Sequence, residues 1–192
     1  MTLGQFFFKY RSYTPIPFLF PLIVYARPTI ISMVIGLILI VVGEYLRFWG
    51  VSYAGGETRT RNVGASSLVT QGPFAIVRNP LYIGNILMYF GISIMSNSLF
   101  PFLQIIVPAF FIMQYYFIIK EEEAFLREKF ADKYDDYFKS VNRFLPKAAY
   151  PKSKQSKVKQ DNKAAFASEK RTFQGTLFIM VLIVLIYILI HQ

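Results

Sequence analysis

Gly72-Pro73-Phe74-Ala75-Ile76-Val77-Arg78-Asn79-Pro80-Leu81-Tyr82-Ile83-Gly84 opens the stretch that decides the fold, and Glu121-Glu122-Glu123-Ala124-Phe125-Leu126 closes its apolar centre. Between Pro80 and Ile119 there is no charged residue, and Ser96-Asn97-Ser98 interrupts the run near its middle. A helix crossing the hydrocarbon core needs about 20 apolar residues. The run therefore predicts two spans, over 81–97 and 100–119, joined by a tight turn. Two polar blocks bracket this hairpin, and each carries charges that a plain anchor does not need. They predict a site at the membrane surface.

Working outward, Pro28 to Gly43 and Phe173 to Ile190 are also uncharged. Residues 12–26 are apolar but short, and Pro15, Pro17 and Pro21 fall within them. Proline kinks a helix by removing a backbone donor, although membrane helices tolerate it better. We read 12–26 as a first, short span. It is not a cleaved signal peptide, because a small-residue cleavage site is lacking and Arg27-Pro28 follows at once. The expected fold class is an all-α integral membrane protein of about five transmembrane helices, with a cytoplasmic pocket built around the hairpin. The expected organisation is 1–49 for the N-terminal helices, 50–146 for the loop, hairpin and amphipathic helix, 147–172 for a basic linker and 173–192 for a last span.

Charge sets the expected orientation. With the N-terminus inside, every one of the 21 Lys and Arg except Arg27 lies at or near the cytoplasmic side. Positive residues favour that side. The net charge of +10 is then a topology and membrane-surface signal, with no nucleic acid partner implied.

The inventory narrows the chemistry. There is no cysteine, and the one histidine is His191, on the expected outer side. Thiol chemistry, histidine general-base catalysis on the cytoplasmic side and a metal site of several histidines are excluded. Carboxylates, Arg, Lys, Asn, Tyr and backbone groups remain.

Residues 50–71 form a glycine-containing loop with Gly55, Gly56 and Gly64, which carries Arg59, Arg61 and Asn62. It is a connector or a close backbone approach to a ligand. Asn79 precedes Pro80, which suits a helix N-terminus, so Asn79 caps the third span or contacts a ligand. Glu121, Glu122 and Glu123 mark the exit of the fourth span, where adjacent carboxylates need partners or water. One hairpin separates them from Arg78. Beyond them, Leu126, Phe130, Tyr134, Tyr137, Phe138 and Val141 recur at helical spacing, which predicts an amphipathic helix with a packing stripe. Glu44 and Arg47 stand three apart and can pair along one helix face, serving either packing or the site.

These blocks resemble a known family. Leu68-Val69, Gly72 and Arg78-Asn79-Pro80-Leu81-Tyr82-Ile83-Gly84 resemble a signature of Leu-Val-x-x-Gly followed by Arg-His-Pro-x-Tyr-x-Gly. Glu122-Glu123, Leu126, Phe130, Tyr134, Tyr137, Arg143 and Pro146 resemble its second block. Both are similar to the isoprenylcysteine carboxyl methyltransferase family, which is related to the phospholipid N-methyltransferases. The resemblance covers about residues 40–146. It implies a methyltransferase that uses S-adenosylmethionine, with its cofactor pocket at the cytoplasmic face and a lipophilic methyl acceptor entering from the bilayer. By position it implies cofactor contacts at Leu68, Val69, Phe74, Asn79, Pro80, Leu81, Tyr82 and Glu122. With the charge pattern it implies a chemical centre on Arg78, Glu122 and Glu123. Arg78 would pair with the cofactor carboxylate or hold Glu122 or Glu123. Two departures stand out: Asn79 replaces the family His, and Ile118 stands where the family has a substrate-side Arg. The acceptor could then be a carboxylate such as a prenylcysteine or an amine-headed phospholipid. A membrane reductase using nicotinamide and a non-catalytic scaffold are the rival classes.

From Lys147 to Arg171 the chain is rich in Lys, Ser, Gln and Asn. It reads as a flexible linker drawn to anionic lipid headgroups. The span after it reads as an anchor, outside the site.

Overall fold

The computed structural model describes residues 1–55, 66–147 and 149–192. Arg59, Arg61, Asn62, Gly56 and Gly64 lie outside the described residues. All regular elements among the described residues are helical: α1 (Leu3–Tyr10), α2 (Ile16–Val24), α3 (Ile30–Ala54), α4 (Pro80–Ser96), α5 (Phe102–Ser140) and α6 (Asn162–Ile190), with 3₁₀ turns at Gly72–Ala75 and Lys152–Lys154. The protein is an all-α integral membrane protein. α3, α5 and α6 are each long and apolar enough to cross a bilayer, while α4 has 17 residues.

The expected first span over 12–26 does not form as one. It condenses to α2, whose nine residues rise only about 14 Å. Its end is stitched to the hairpin turn instead. Ser98 Oγ donates to the Pro21 carbonyl at 2.6 Å, Ser96 Oγ donates to the Leu22 carbonyl, and Asn97 Nδ2 donates to the Arg27 carbonyl at 2.9 Å. Asn97 takes the left-handed conformation that ends α4. This turn, with Arg27, sits at one end of the bundle. The N-terminus sits at the other, where Thr2 Oγ1 donates to Glu121 Oε1 at 2.6 Å.

α3 starts at a reciprocal cap: Ser32 N–H donates to Thr29 Oγ1 at 3.1 Å, and Thr29 N–H to Ser32 Oγ at 2.9 Å. It packs along α4 through small residues, which let backbones approach closely in a membrane. A Cβ on Gly43 would meet the Gly84 carbonyl oxygen at 2.6 Å, and one on Gly84 would meet the Gly43 carbonyl at 2.6 Å. Gly84→Val should therefore push the two helices apart and cost about 1–3 kcal/mol, the usual range for overpacking. Thermal melting of the purified variant reads this, and a melting point equal to the parent's would show that the contact is not tight.

α5 begins apolar and continues past the hairpin as the amphipathic helix, with a break at Ala131, whose φ is +43°. There Tyr134, Tyr137, Val141, Ala75 and Tyr150 form a second, smaller core. α6 begins at Asn162, capped by Asp161 Oδ1 accepting from Ala164 N–H at 2.9 Å. The helix thus takes in residues that the sequence assigns to a flexible linker. The part of that linker before it is also tied down. Ser156 N–H donates to Thr70 Oγ1 at 2.8 Å, Thr70 N–H to Ser156 Oγ at 3.0 Å, and Asp161 N–H to the Ser52 carbonyl at 2.8 Å.

Candidate active site

The hairpin brings the two polar blocks together. Tyr82 lies one turn into α4, and its hydroxyl donates to Glu122 Oε1 on α5 at 2.7 Å. Arg78, just before α4, donates from Nε and Nη2 to Glu123 Oε1 at 3.1 and 2.8 Å. Arg143 also donates to both oxygens of Glu123. Adjacent carboxylates therefore have different surroundings. Glu122 faces a tyrosine hydroxyl, while Glu123 pairs with two guanidinium groups. Arg78 also donates to the carbonyls of Phe138 and Val141 and lies 4.2 Å over the Phe138 ring.

The loop before α4 is clamped from the far side of α5. Tyr137 Oη donates to the Phe74 carbonyl at 2.7 Å, and Tyr150 N–H donates to the Ala75 carbonyl at 2.8 Å. Tyr150 Oη donates to Asp136 at 2.8 Å, and Lys154 reaches the same carboxylate at 3.0 Å. Burial pushes the Tyr150 hydroxyl up to about 12, and the bond to Asp136 acts in the same direction, so the phenol stays a donor. Gly72 opens this loop at φ +59°, against the Tyr53 ring, where a side chain would collide.

These elements enclose a cavity of about 470 Å³, within the range of about 300–1,000 Å³ usual for small-molecule clefts. Leu68, Val69, Phe74, Asn79, Leu81 and Tyr82 line it, as do Arg78, Glu122 and Glu123. Pro80 is not on its wall. It is the first residue of α4 and packs toward Gly50 of α3. Asn79 holds the cap position, but its amide does not cap: Nδ2 donates to the Arg143 carbonyl at 3.3 Å.

Several wall residues escape the sequence reading. Arg11 and Phe8 come from the N-terminal helix region, and Thr172, Thr176 and Ile179 from α6. The last helix, expected to stand outside the site, therefore contributes to the cavity wall. Arg47 reaches across the bundle to Glu169 at 2.7 Å and also donates to Asn85. Glu44, its expected partner along α3, instead accepts from Thr176 at 2.9 Å. Tyr115 stacks on Tyr82 with ring centroids 4.6 Å apart. A signal for Tyr115 was present: it lies two helical turns before Glu122, on the same face. Nothing local announces Glu169 or Thr172, which look like ordinary polar residues of a basic segment.

The family model for phospholipid methyltransferase matches residues 31–133, from α3 into the amphipathic part of α5. The chain belongs to the phospholipid methyltransferase family. The match takes in Arg78, Tyr82, Glu122 and Glu123, and leaves out α1, α2 and α6. Among curated relatives, the chain is 28% identical over 115 residues to the nickel-cobalt-cadmium resistance protein NccN of Alcaligenes xylosoxydans xylosoxydans, covering 60% of this chain and 50% of that protein. It is 29% identical over 101 residues to the cobalt-zinc-cadmium resistance protein CzcN of Cupriavidus metallidurans, covering 53% and 43%. It is 28% identical over 119 residues to a probable protein-S-isoprenylcysteine O-methyltransferase of Oryza sativa, covering 58% and 60%. The chain thus spans about half the length of the curated relatives it matches. No solved structure matches it.

Proposed function

We propose that this protein is a membrane methyltransferase that moves a methyl group from S-adenosylmethionine to a lipophilic acceptor entering from the bilayer. The observation that carries the reading is the Tyr82–Glu122 contact at the wall of one cavity, joining two motif blocks 40 residues apart. The residues suit the cofactor: a carboxylate for its ammonium or ribose hydroxyls, and aromatic faces at Phe74 and Tyr82 for its cationic sulfonium. When bound, the cofactor supplies an electrophilic methyl group, which passes to the acceptor as the methyl–sulfur bond breaks and its electron pair stays on sulfur. A carboxylate, or an amine that arrives deprotonated and whose product then loses its proton to solvent, attacks without a base from the protein. The chain's own work is alignment and water exclusion. Glu122 orients the cofactor, the clamped 68–79 segment covers it, and the helix walls admit the acceptor from the side.

The acceptor in this reading is a hydrophobic carboxylate, of the prenylcysteine type or another. An amine-headed phospholipid is the second reading. It is favoured by carboxylates behind the wall: Glu169 pairs with the wall residue Arg47 at 2.7 Å, and Glu44 accepts from the wall residue Thr176 at 2.9 Å. The basic segment before α6 is suited to anionic headgroups, and the orientation that fits the charge pattern places the cavity on the cytoplasmic side.

Calorimetric titration of the detergent-purified full chain tests the donor. S-adenosylmethionine should bind and a nicotinamide cofactor should not. Glu122→Gln keeps volume but removes charge, and should weaken that binding by roughly 1.5–3 kcal/mol while melting stays near the parent's. A parent that binds no S-adenosylmethionine ends the proposal, and an unchanged affinity in the variant removes Glu122 from the site.

A further inference from the structure

The cavity does not stop at the polar residues around Tyr82 and Glu122. It continues down one face of α4, whose wall residues Tyr82, Asn85, Met88, Tyr89 and Ile92 are spaced three and four apart. The character of the wall changes on the way. Arg47 and Asn85, joined by a hydrogen bond, form a polar level. Beneath it α4 presents Met88, the ring of Tyr89 and Ile92, and α6 presents Ile179. Thr176, one turn before Ile179, gives its hydroxyl proton to Glu44 at 2.9 Å and so brings no free donor to this part. The lower cavity is an apolar well inside the bundle.

Glycine contacts fix its levels. A Cβ on Gly84 would meet Arg47 Cγ at 2.7 Å, and one on Gly91 would meet Ile40 Cγ1 at 2.8 Å. Arg47 thus marks the top of the well and Ile40 its foot. The well is blind, because the next residue on each face leaves the wall for the core. Met95 follows Ile92 on α4 and Ile183 follows Ile179 on α6, and both are buried, as is Ile40. Phe111 backs the well from α5, stacked on Tyr89 with ring centroids 4.0 Å apart. From Asn85 to Ile92 the helix rises about 10 Å, the length of an extended octyl chain.

We propose that this well measures the apolar chain of the methyl acceptor, with Ile92 and Ile179 as its floor, and that the acceptor's chain is of medium length. The chain lies below the Arg47–Asn85 level, and the reacting head stays above it, beside Tyr82 and the cofactor. The proposal rests on the reaction given under Proposed function and names its substrate class. A chain shorter than the well leaves apolar wall unfilled, and each missing methylene forfeits roughly fourfold in affinity. A longer chain meets a close-packed floor, which yields only by overpacking. Ile179 lies on α6, outside the family match, so the floor is partly this chain's own.

The test changes the ligand's length and the floor together. Calorimetry measures butanoic, octanoic and hexadecanoic acids against the detergent-purified full chain, Ile179→Ala and Ile179→Phe. Partition into detergent is the same for every protein and cancels between them. The parent should prefer octanoic acid. Ile179→Phe, which fills the well, should weaken octanoic acid about 10-fold and leave butanoic acid near the parent's affinity. Ile179→Ala, which deepens the well, should improve hexadecanoic acid relative to octanoic acid by about 10-fold. Ile92→Ala should repeat that shift from the facing helix, and carries the test if Ile179→Phe does not fold. A length preference identical in all variants, or a parent that binds none of the acids, would overturn the well. Methylated product from octanoic acid or octylamine with S-adenosylmethionine, followed by mass spectrometry, keeps the two readings apart. If the length preference follows the floor but no methylated product forms, the well binds a chain and the methyl transfer is what fails. If S-adenosylmethionine binds and no length preference exists, the donor stands and the well falls.

Discussion

Truncation after Lys147 should abolish S-adenosylmethionine binding and lower the melting temperature of what remains. The apolar run from Phe173 to Ile190 looks dispensable on its own, but its helix starts at Asn162 and closes the cavity with Thr172, Thr176 and Ile179. Glu169 has no solvent exposure, and its partner Arg47 is only 13% exposed at the side chain. Removing one member of a buried ion pair leaves an uncompensated charge and typically costs about 3–5 kcal/mol. Truncation also frees Glu44 from Thr176 and unties Thr70 from Ser156 at the cavity rim. Fluorescence of Trp49, the single tryptophan, follows unfolding on α3 near Arg47. Glu169→Leu isolates the ion pair from the rest of the helix, and should reproduce most of the stability loss. A truncated protein that is monodisperse and binds S-adenosylmethionine like the parent would make α6 the anchor its composition suggests.

The hairpin and the meeting of its two polar ends were legible because both signals are local and periodic. An uncharged run of fixed length must cross or be buried, and a tight turn must return the chain beside itself. Arg78 and the Glu121–Glu123 block then fall at the same end without any long-range information. The amphipathic stripe from Leu126 to Val141 was legible for the same reason. Partners chosen across the bundle were not. Arg47 had a plausible neighbour three residues away in Glu44, yet its ion pair runs to Glu169, 122 residues on. Helix spacing states which residues share a face, not which other helix covers it. The span read over 12–26 shrinks to α2, and α1, which lies before it, was not foreseen, because nothing in its short aromatic stretch signals a separate helix. Arg11 falls between the two, after α1 and before Pro15. The start of α6 was hidden by composition, since its first turns are basic and polar, although Asp161 carries the signature of a helix cap.

Glu123→Ala should be the most destabilising single substitution in the polar end of the hairpin, while leaving intrinsic cofactor affinity almost unchanged. Its carboxylate is the meeting point of Arg78, from the start of α4, and Arg143, from the segment after α5. The side chains of Arg78 and Glu123 are 8% and 10% exposed, so water cannot replace the missing charge cheaply. Without it, two guanidinium groups face each other across a small gap, and the penalty expected is again about 3–5 kcal/mol. Arg78 would retain the Phe138 and Val141 carbonyls and the Phe138 ring, none of which carries a compensating charge. Glu122, one residue earlier, makes the opposite prediction, with affinity falling and stability holding. Measuring melting temperature and S-adenosylmethionine affinity for both variants therefore assigns each carboxylate its role. A Glu123→Ala protein that melts with the parent but loses the cofactor would place Glu123 against the ligand, and Arg78 would then have to be read as part of the chemistry and not as the clamp that holds the hairpin's two ends together.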